Sequence, residues 1–124
     1  MLFRSAELFA HMVEGDDPLV FHCTAGKDRT GFAAALVLHA LGVAHPVVMQ
    51  DYLLTNELFR MPATVERAAP QEVLEVMWRV QETFLNAAFK AVDGEFGGMP
   101  TYLETTLRVG PREQARLAEL YLQA

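Results

Sequence analysis

The fold of this chain depends on residues 22–31, His-Cys-Thr-Ala-Gly-Lys-Asp-Arg-Thr-Gly, which join two segments of opposite character. Before them, Leu19-Val20-Phe21-His22 is a short apolar run rich in β-prone residues, as is typical of a buried strand. After them, residues 31–41 are apolar on nearly every helical face and stop at Gly42, which predicts a helix packed on all sides. The expected unit is strand, loop and buried helix, with Cys23 at the carboxyl end of the strand.

Helical periodicity predicts five further helices along the chain. A short one covers residues 5–14 after a Ser5 cap and ends at the turn Gly15-Asp16-Asp17-Pro18. The others occupy residues 46–61, a segment beginning at Pro70, residues 100–107 and residues 111–122. The helix from Pro70 is marked by an apolar stripe of Val73, Met77, Val80, Phe84 and Ala88.

The scarcity of β-structure limits the prediction of the fold. A lone strand leaves its backbone edges without hydrogen-bond partners, so either weak strands are hidden in the sequence or the chain is a fragment of a larger sheet. The predicted fold class is α/β, with a strand, an anion-binding loop and a buried helix followed by a helical carboxyl-terminal half. Residues 1–124 are expected to form a single domain that is truncated at its amino terminus.

Composition excludes several classes of protein. A hydrophobic content of 52% with 21% charged residues is that of a globular chain, and the net charge of −6 argues against a general nucleic-acid or anionic-membrane surface. A single cysteine excludes an internal disulfide or a CxxC pair and suits a reducing compartment. No apolar run reaches the length of a membrane span, and residues 1–5 do not resemble a secretory signal. We therefore expect a cytoplasmic protein without an integral membrane segment.

The spacing within residues 22–31 suits an anion. Five residues separate Cys23 from Arg29, which lets successive backbone N–H groups point inward as a nest, and Gly26 permits the dihedral angles that such a curl needs. Arg29 would close the ring with a two-pronged contact to two oxygens, and the start of the following helix favours both an anion and a thiolate. Cys23 is therefore expected to have a depressed pKa, with Thr30 donating its hydroxyl to the thiolate and Gly31 allowing close packing behind the loop.

Residues 22–31 resemble the signature His-Cys-x5-Arg-Thr/Ser-Gly of cysteine-dependent phosphatases, and the Gly-Lys-Asp-Arg-Thr-Gly version resembles that of a bacterial tyrosine-phosphatase family. Two further stretches are similar to this family: Asp51-Tyr52-Leu53-Leu54-Thr55-Asn56, and a tail made of Tyr102-Leu103, Leu107, Gly110 and a final helix. The resemblance covers the chain from about Pro18 to its end. It implies a protein-tyrosine phosphatase.

The resemblance also implies roles for single residues. Cys23 would attack phosphorus to form a cysteinyl-phosphate, Arg29 and the loop amides would stabilise the equatorial oxygens, and water would hydrolyse the intermediate. The implied phosphate-binding residues are Thr24, Ala25, Gly26, Lys27, Asp28, Arg29 and Thr30, with His22 and Gly31 in support. No metal or other cofactor is implied. The implied substrates are phosphotyrosine proteins, with phosphoinositides as the alternative, because the family's loop lysine and aspartate are associated with activity on both; Lys27 would then grip an extra ring phosphate.

The general acid is the part of the family pattern that is hardest to place. Members of the family carry an upstream segment with most of the sheet and an acidic residue on a movable loop, but only 22 residues precede Cys23. Glu14, Asp16 and Asp17 lie at the wrong end of the predicted strand, with Asp17 roughly 15 to 20 Å from the nucleophile at about 3.3 Å per residue. Asp28 resembles the loop aspartate of myotubularin-like and Sac-like lipid phosphatases and is the candidate within reach. The alternative is an acid in a missing amino-terminal segment.

Other functions stay open on the sequence alone. A non-catalytic phosphate-binding module would result if no acid is present, and a rhodanese-type sulfurtransferase also presents a cysteine in an anion-binding loop. The arginine followed by Thr-Gly argues against the sulfurtransferase. His22 is expected to support the loop backbone rather than to transfer protons. The pairs Asp51–Thr55 and Tyr52–Asn56, each one helical turn apart, either brace the loop or make local helix bonds.

Overall fold

The computed structural model describes residues 2–123, which form helices and loops with no strand in that range. The elements are α1 (Leu2–Glu14), α2 (Asp28–Ala40), α3 (His45–Leu53), α4 (Thr55–Leu58), α5 (Ala63–Glu66), α6 (Gln71–Trp78), α7 (Glu82–Phe96), α8 (Met99–Thr101), a π-helical turn (Tyr102–Thr106) and α9 (Pro111–Tyr121). Every helix within this range is too short or too polar to span a bilayer.

The α/β fold class and the strand predicted at residues 19–22 are wrong. Residues 15–23 run as irregular backbone between α1 and α2. Leu19, Val20 and Phe21 are 45%, 87% and 37% exposed, whereas a buried strand would cover them. A strand is stable only when a neighbouring strand takes up its N–H and C=O groups, and nothing among residues 2–123 provides one. The fold seen here is therefore all helical.

The centre of the molecule is α2. None of its residues from Gly31 to Ala40 is exposed, which confirms the predicted buried helix. Two apolar clusters meet on it. The first consists of Phe9, Met12, Leu36, Ala40, Val92, Tyr102, Leu103, Leu107, Val109 and Leu117. The second consists of Ala35, Val48, Met49, Tyr52, Val80 and Leu85, so the loop that precedes α2 is attached to a helix held on both sides.

The first and last predicted helices are present as α1 and α9, but the predicted Ser5 cap is wrong, because α1 begins at Leu2 and Ser5 lies inside it. Pro111 stands at the first turn of α9, where its missing N–H costs nothing and its fixed φ suits a helix. The Tyr121 hydroxyl donates to the carbonyl oxygens of Met12 at 3.0 Å and Gly15 at 2.7 Å. These bonds tie the end of the chain to the end of α1.

The helix predicted from Pro70 is interrupted. Residues 79–81, here named the elbow, are extended between α6 and α7, with ψ of 158° and 151° at the elbow's two ends. The Asn56 side chain takes both backbone groups of Val80: Oδ1 accepts from the N–H at 2.8 Å and Nδ2 donates to the carbonyl at 2.9 Å. Because these bonds replace helical ones, the stripe read from the sequence is divided between α6, the elbow and α7, with Val80 itself 2% exposed.

Two other predicted helices differ from the observed elements. The helix predicted over residues 46–61 is divided into α3 and α4 and ends at Leu58, because Phe59 is extended with ψ of 130°. The helix predicted over residues 100–107 is present as α8 and the π-helical turn, in which the Leu107 N–H donates to the Tyr102 carbonyl at 3.0 Å.

Substitution Gly31→Ala is expected to destabilise the chain by about 1–3 kcal/mol, because the new methyl group overpacks the contact between α2 and α3. A Cβ at this position would lie 2.9 Å from Tyr52 Cε2, and the Tyr52 ring is only 5% exposed. Urea unfolding measures the change. The matched control is Gly94→Ala in α7, where a Cβ meets nothing within 4 Å and removal of a helical glycine should stabilise by about 0.5–1 kcal/mol. Equal unfolding free energies for the two variants would contradict the close packing.

Candidate active site

The Cys23 thiol lies where hydrogen-bond donors converge. The Thr30 hydroxyl oxygen is 3.1 Å from Cys23 Sγ, and the backbone N–H groups of Thr30, Lys27 and Gly26 stabilise a negative charge on the sulfur. Burial raises the pKa of the Cys23 thiol, but the Thr30 hydroxyl and these three N–H groups outweigh burial and lower the pKa from 9.0 to about 6. The thiolate is therefore the main form of Cys23 at neutral pH.

The backbone of the loop explains this convergence. Gly26 has φ of +65°, in the left-handed region that favours glycine, and it turns the following amides inward. Helix α2 then begins at Asp28, and the Gly31 N–H donates to the Lys27 carbonyl at 2.9 Å. The positive end of the α2 dipole lies beside the sulfur and favours a negative charge there.

Arg29 and Thr24 lie on the exposed side of the loop. Arg29 Nη2 donates to Thr24 Oγ1 at 3.2 Å. This contact links the start of the loop at Thr24 to Arg29 at its end and holds the guanidinium beside the loop amides. Ala25, between them in sequence, is half-buried. A guanidinium at this place can meet two oxygens of one phosphate in a planar, two-pronged contact.

Lys27 points into the protein. It is 6% exposed, and its ammonium donates to the carbonyl oxygens of Met77 at 2.6 Å and Arg79 at 3.4 Å. Its Nζ is also 3.6 Å from the carboxylate of Asp28. The Lys27 ammonium, expected to grip an extra ring phosphate, is therefore directed towards the elbow. No sequence pattern indicates this, because the partners lie 50 and 52 residues away.

Asp28 and His22 are both exposed at the loop. Asp28 is the first residue of α2, where a carboxylate is favoured by the helix dipole. His22 Nδ1 lies 3.3 Å from the Cys23 carbonyl oxygen, within reach of the loop backbone. The acid role of Asp28 and the supporting role of His22 stay predictions.

The structure separates the predicted pair Tyr52 and Asn56: Tyr52 of α3 packs behind the loop, and Asn56 of α4 binds the elbow. Tyr52 packs against Gly31, and burial followed by the charge of Asp28 raises the pKa of its phenol. The Asn56 side chain makes its hydrogen bonds to Val80 and so holds the elbow. Only residue type could have suggested this, since a partly buried amide needs partners for both its donor and its acceptor.

A cavity of about 330 Å³ opens beside the loop at Gly26. Its other lining residues are Asp51, Leu54, Thr55, Leu58 and Phe59. Leu54 and Leu58 are 41% and 71% exposed, so they give this cavity an apolar wall open to solvent. Among residues 2–123, no three side chains of His, Cys, Asp and Glu come together as metal ligands.

Comparison with known proteins gives consistent matches. A family model described as the tyrosine phosphatase family matches residues 4–123. A provisionally named tyrosine-protein phosphatase of Cupriavidus necator is 40% identical over 108 residues, covering 82% of this chain and 39% of that protein. The triple specificity protein phosphatase PtpB of Mycobacterium tuberculosis is 34% identical over 103 residues, covering 69% of this chain and 37% of that protein. A tyrosine-protein phosphatase of Nostoc commune is 30% identical over 112 residues, covering 80% and 36%.

These matches agree with the geometry of the loop. The chain spans between 36% and 39% of the length of these three relatives. The family model nevertheless covers nearly all of it, including Cys23, Arg29 and the helix behind them. The resemblance read from residues 22–31 is confirmed: this chain belongs to the tyrosine phosphatase family.

Proposed function

We propose that this chain carries the nucleophilic site of a protein-tyrosine phosphatase and hydrolyses phosphomonoesters through Cys23. The observation that supports this most strongly is the set of donors on Cys23 Sγ, namely the Thr30 hydroxyl at 3.1 Å and three backbone N–H groups. They lower the pKa of the thiol to about 6, and a thiolate is the form of cysteine that attacks.

The reaction has two steps. In the first, the Cys23 thiolate attacks phosphorus, an S–P bond forms, and the P–O bond to the leaving group breaks as that oxygen takes up a proton. The loop amides and the Arg29 guanidinium stabilise the charge on the three equatorial oxygens. In the second, water attacks phosphorus and gives up a proton to solvent, the S–P bond breaks, inorganic phosphate leaves, and the Cys23 thiolate is regenerated. Neither the substrate nor the protein is oxidised or reduced, so no redox partner is needed.

Phosphotyrosine is the substrate that the surroundings of the loop favour. The cavity beside Gly26 has an apolar wall of Leu54, Leu58 and Phe59 against which an aromatic leaving group can pack. A phosphoinositide would need Lys27 to grip a second phosphate, but the Lys27 ammonium is buried and occupied by two backbone carbonyls. The proposed partners are therefore phosphotyrosine proteins. The proposed location is the cytoplasm, because a single free thiol suits a reducing compartment.

The test is turnover of p-nitrophenyl phosphate with capture of the intermediate. The folded chain should release p-nitrophenol, and rapid acid quenching followed by mass spectrometry should find one phosphoryl group on the peptide that contains Cys23. The same chain incubated with thiosulfate and cyanide should form no thiocyanate. A folded chain that binds vanadate without releasing p-nitrophenol would be a phosphate-binding module, and a persulfide on Cys23 with thiocyanate formation would identify a sulfurtransferase.

Substitution Asp28→Asn tests the proposed general acid. If Asp28 protonates the leaving oxygen, hydrolysis of phenyl phosphate should fall by about 10²–10⁴-fold, because phenolate is a poor leaving group without a proton. Hydrolysis of p-nitrophenyl phosphate should change far less. The matched control is Asp51→Asn, which removes another exposed carboxylate near the loop. Equal losses on both substrates in Asp28→Asn would show that the acid lies elsewhere.

A further inference from the structure

The Lys27 side chain connects the phosphate loop to a distant part of the chain. Its ammonium donates to the Met77 carbonyl at the end of α6 and to the Arg79 carbonyl in the elbow. With 6% of the residue exposed, these two oxygens take the place of water around the charge. Since a buried ammonium is costly unless it is hydrogen-bonded, the side chain is fixed in this direction.

The elbow is itself fixed by a second anchor. Asn56 binds the N–H and the carbonyl of Val80, next in sequence to Arg79, at 2.8 and 2.9 Å. Val80 is buried in the second apolar cluster together with Tyr52. Lys27 therefore holds on to a backbone segment that Asn56 keeps in place from the other side.

The same residue also meets the nucleophile through its backbone. The Lys27 N–H is one of three backbone groups that lower the pKa of the Cys23 thiol, and the Lys27 carbonyl accepts from the Gly31 N–H at 2.9 Å at the start of α2. A shift of this residue would move a donor away from the sulfur. The Lys27 side chain thus contacts the elbow, while its backbone supports the loop and the thiol.

We propose that Lys27 is a positioning residue whose ammonium anchors the phosphate loop on the elbow and so keeps the Lys27 backbone N–H aimed at Cys23 Sγ. This role of Lys27 deepens the proposed function, and only its consequence for turnover rests on that function. It assigns to Lys27 a task that differs from contact with substrate, and it makes Asn56 a remote part of the same support. The chemistry of the loop then depends on packing between α4 and the α6–α7 connection.

The test is the pH dependence of Cys23 alkylation by iodoacetamide in the full chain. The wild-type rate should reach half its maximum at a pH of about 6. In Lys27→Met, which keeps the length of the side chain but not its donors, the midpoint should rise by about one unit or more, because a hydrogen bond to the thiolate weakens. The matched control is Lys90→Met, an exposed lysine of α7, which should keep the wild-type midpoint.

Asn56→Ala separates anchoring from charge. This change removes no charge, yet it should also raise the midpoint, because the elbow loses its second anchor. The double variant should match Lys27→Met alone, since both changes break one linkage and their effects are not additive. A wild-type midpoint in Asn56→Ala, or additive shifts in the double variant, would overturn the proposal and leave Lys27 acting only as a charge. If Lys27→Met does not fold, the result for Asn56→Ala decides alone.

This experiment also stands apart from the proposed function. Alkylation needs only a thiolate and no turnover. If the wild-type chain fails to release p-nitrophenol, the proposed activity fails while the midpoints still decide the role of Lys27. If turnover is present and the midpoints do not move, the activity stands and the anchoring role is wrong.

Discussion

Substitution Cys23→Ser is expected to reduce hydrolysis of p-nitrophenyl phosphate to the rate of the uncatalysed reaction. The donors that surround Sγ lower the pKa of a thiol to about 6, so that a nucleophilic anion is present at neutral pH. A serine hydroxyl is a weak nucleophile at its free pKa, which lies far above that of a thiol. The good leaving group makes this substrate insensitive to the acid, so the loss reports on the nucleophile. Release of p-nitrophenol by the two chains at equal concentration is the measurement.

The same variant provides its own control for folding. The loop amides and Arg29 are unchanged, so Cys23→Ser should still bind inorganic phosphate or tungstate by isothermal titration. The urea midpoint should also stay near that of the wild-type chain, since the two side chains differ by one atom. Turnover that persists in this variant would show that Cys23 is not the nucleophile and would contradict the proposed reaction.

Arg29→Lys is expected to lower kcat for p-nitrophenyl phosphate by about 10²–10³-fold, the usual cost of losing one preorganised donor to transition-state charge. The substitution keeps the positive charge but removes the planar fork that meets two oxygens at once. It also removes the guanidinium that donates to Thr24 Oγ1 across the loop. Steady-state kinetics separate kcat from KM, and the larger effect should be on kcat.

A matched substitution away from the loop isolates this effect. Arg60 is exposed in the segment after α4, so Arg60→Lys should leave kcat unchanged. The Cys23 alkylation midpoint should move little in Arg29→Lys, because the donors to Sγ are the Thr30 hydroxyl and backbone amides. Wild-type kcat in Arg29→Lys would mean that a positive charge alone is sufficient at this position.

The local parts of this molecule could be predicted from its sequence. The spacing from Cys23 to Arg29 predicted an inward-facing loop, and the depressed pKa and the bond from Thr30 follow the expected pattern. The apolar run behind Gly31 predicted a helix without an exposed face. Each of these depends on residues within one or two helical turns, where periodicity and backbone chemistry are sufficient.

The parts that failed depend on distant neighbours. The run at residues 19–22 has strand composition, but composition does not supply the partner strand that a ladder needs. The helix from Pro70 satisfied the helical period and was still broken, because Asn56 takes the backbone groups of Val80 from 24 residues away. The direction of the Lys27 side chain was hidden for the same reason: local sequence does not say where two free carbonyls will lie.

The position of α2 between the two apolar clusters sets the order in which amides are exposed to solvent. When one apolar cluster opens locally, the other cluster still packs on α2. The amides of α2 should therefore exchange with solvent only by global unfolding. Residues 53–73 contain no buried side chain and should exchange before the amides of α2. The thiolate loop is thus attached at its carboxyl end to the slowest-exchanging part of the chain, whereas the segment that faces its cavity, which includes Asn56, opens more readily.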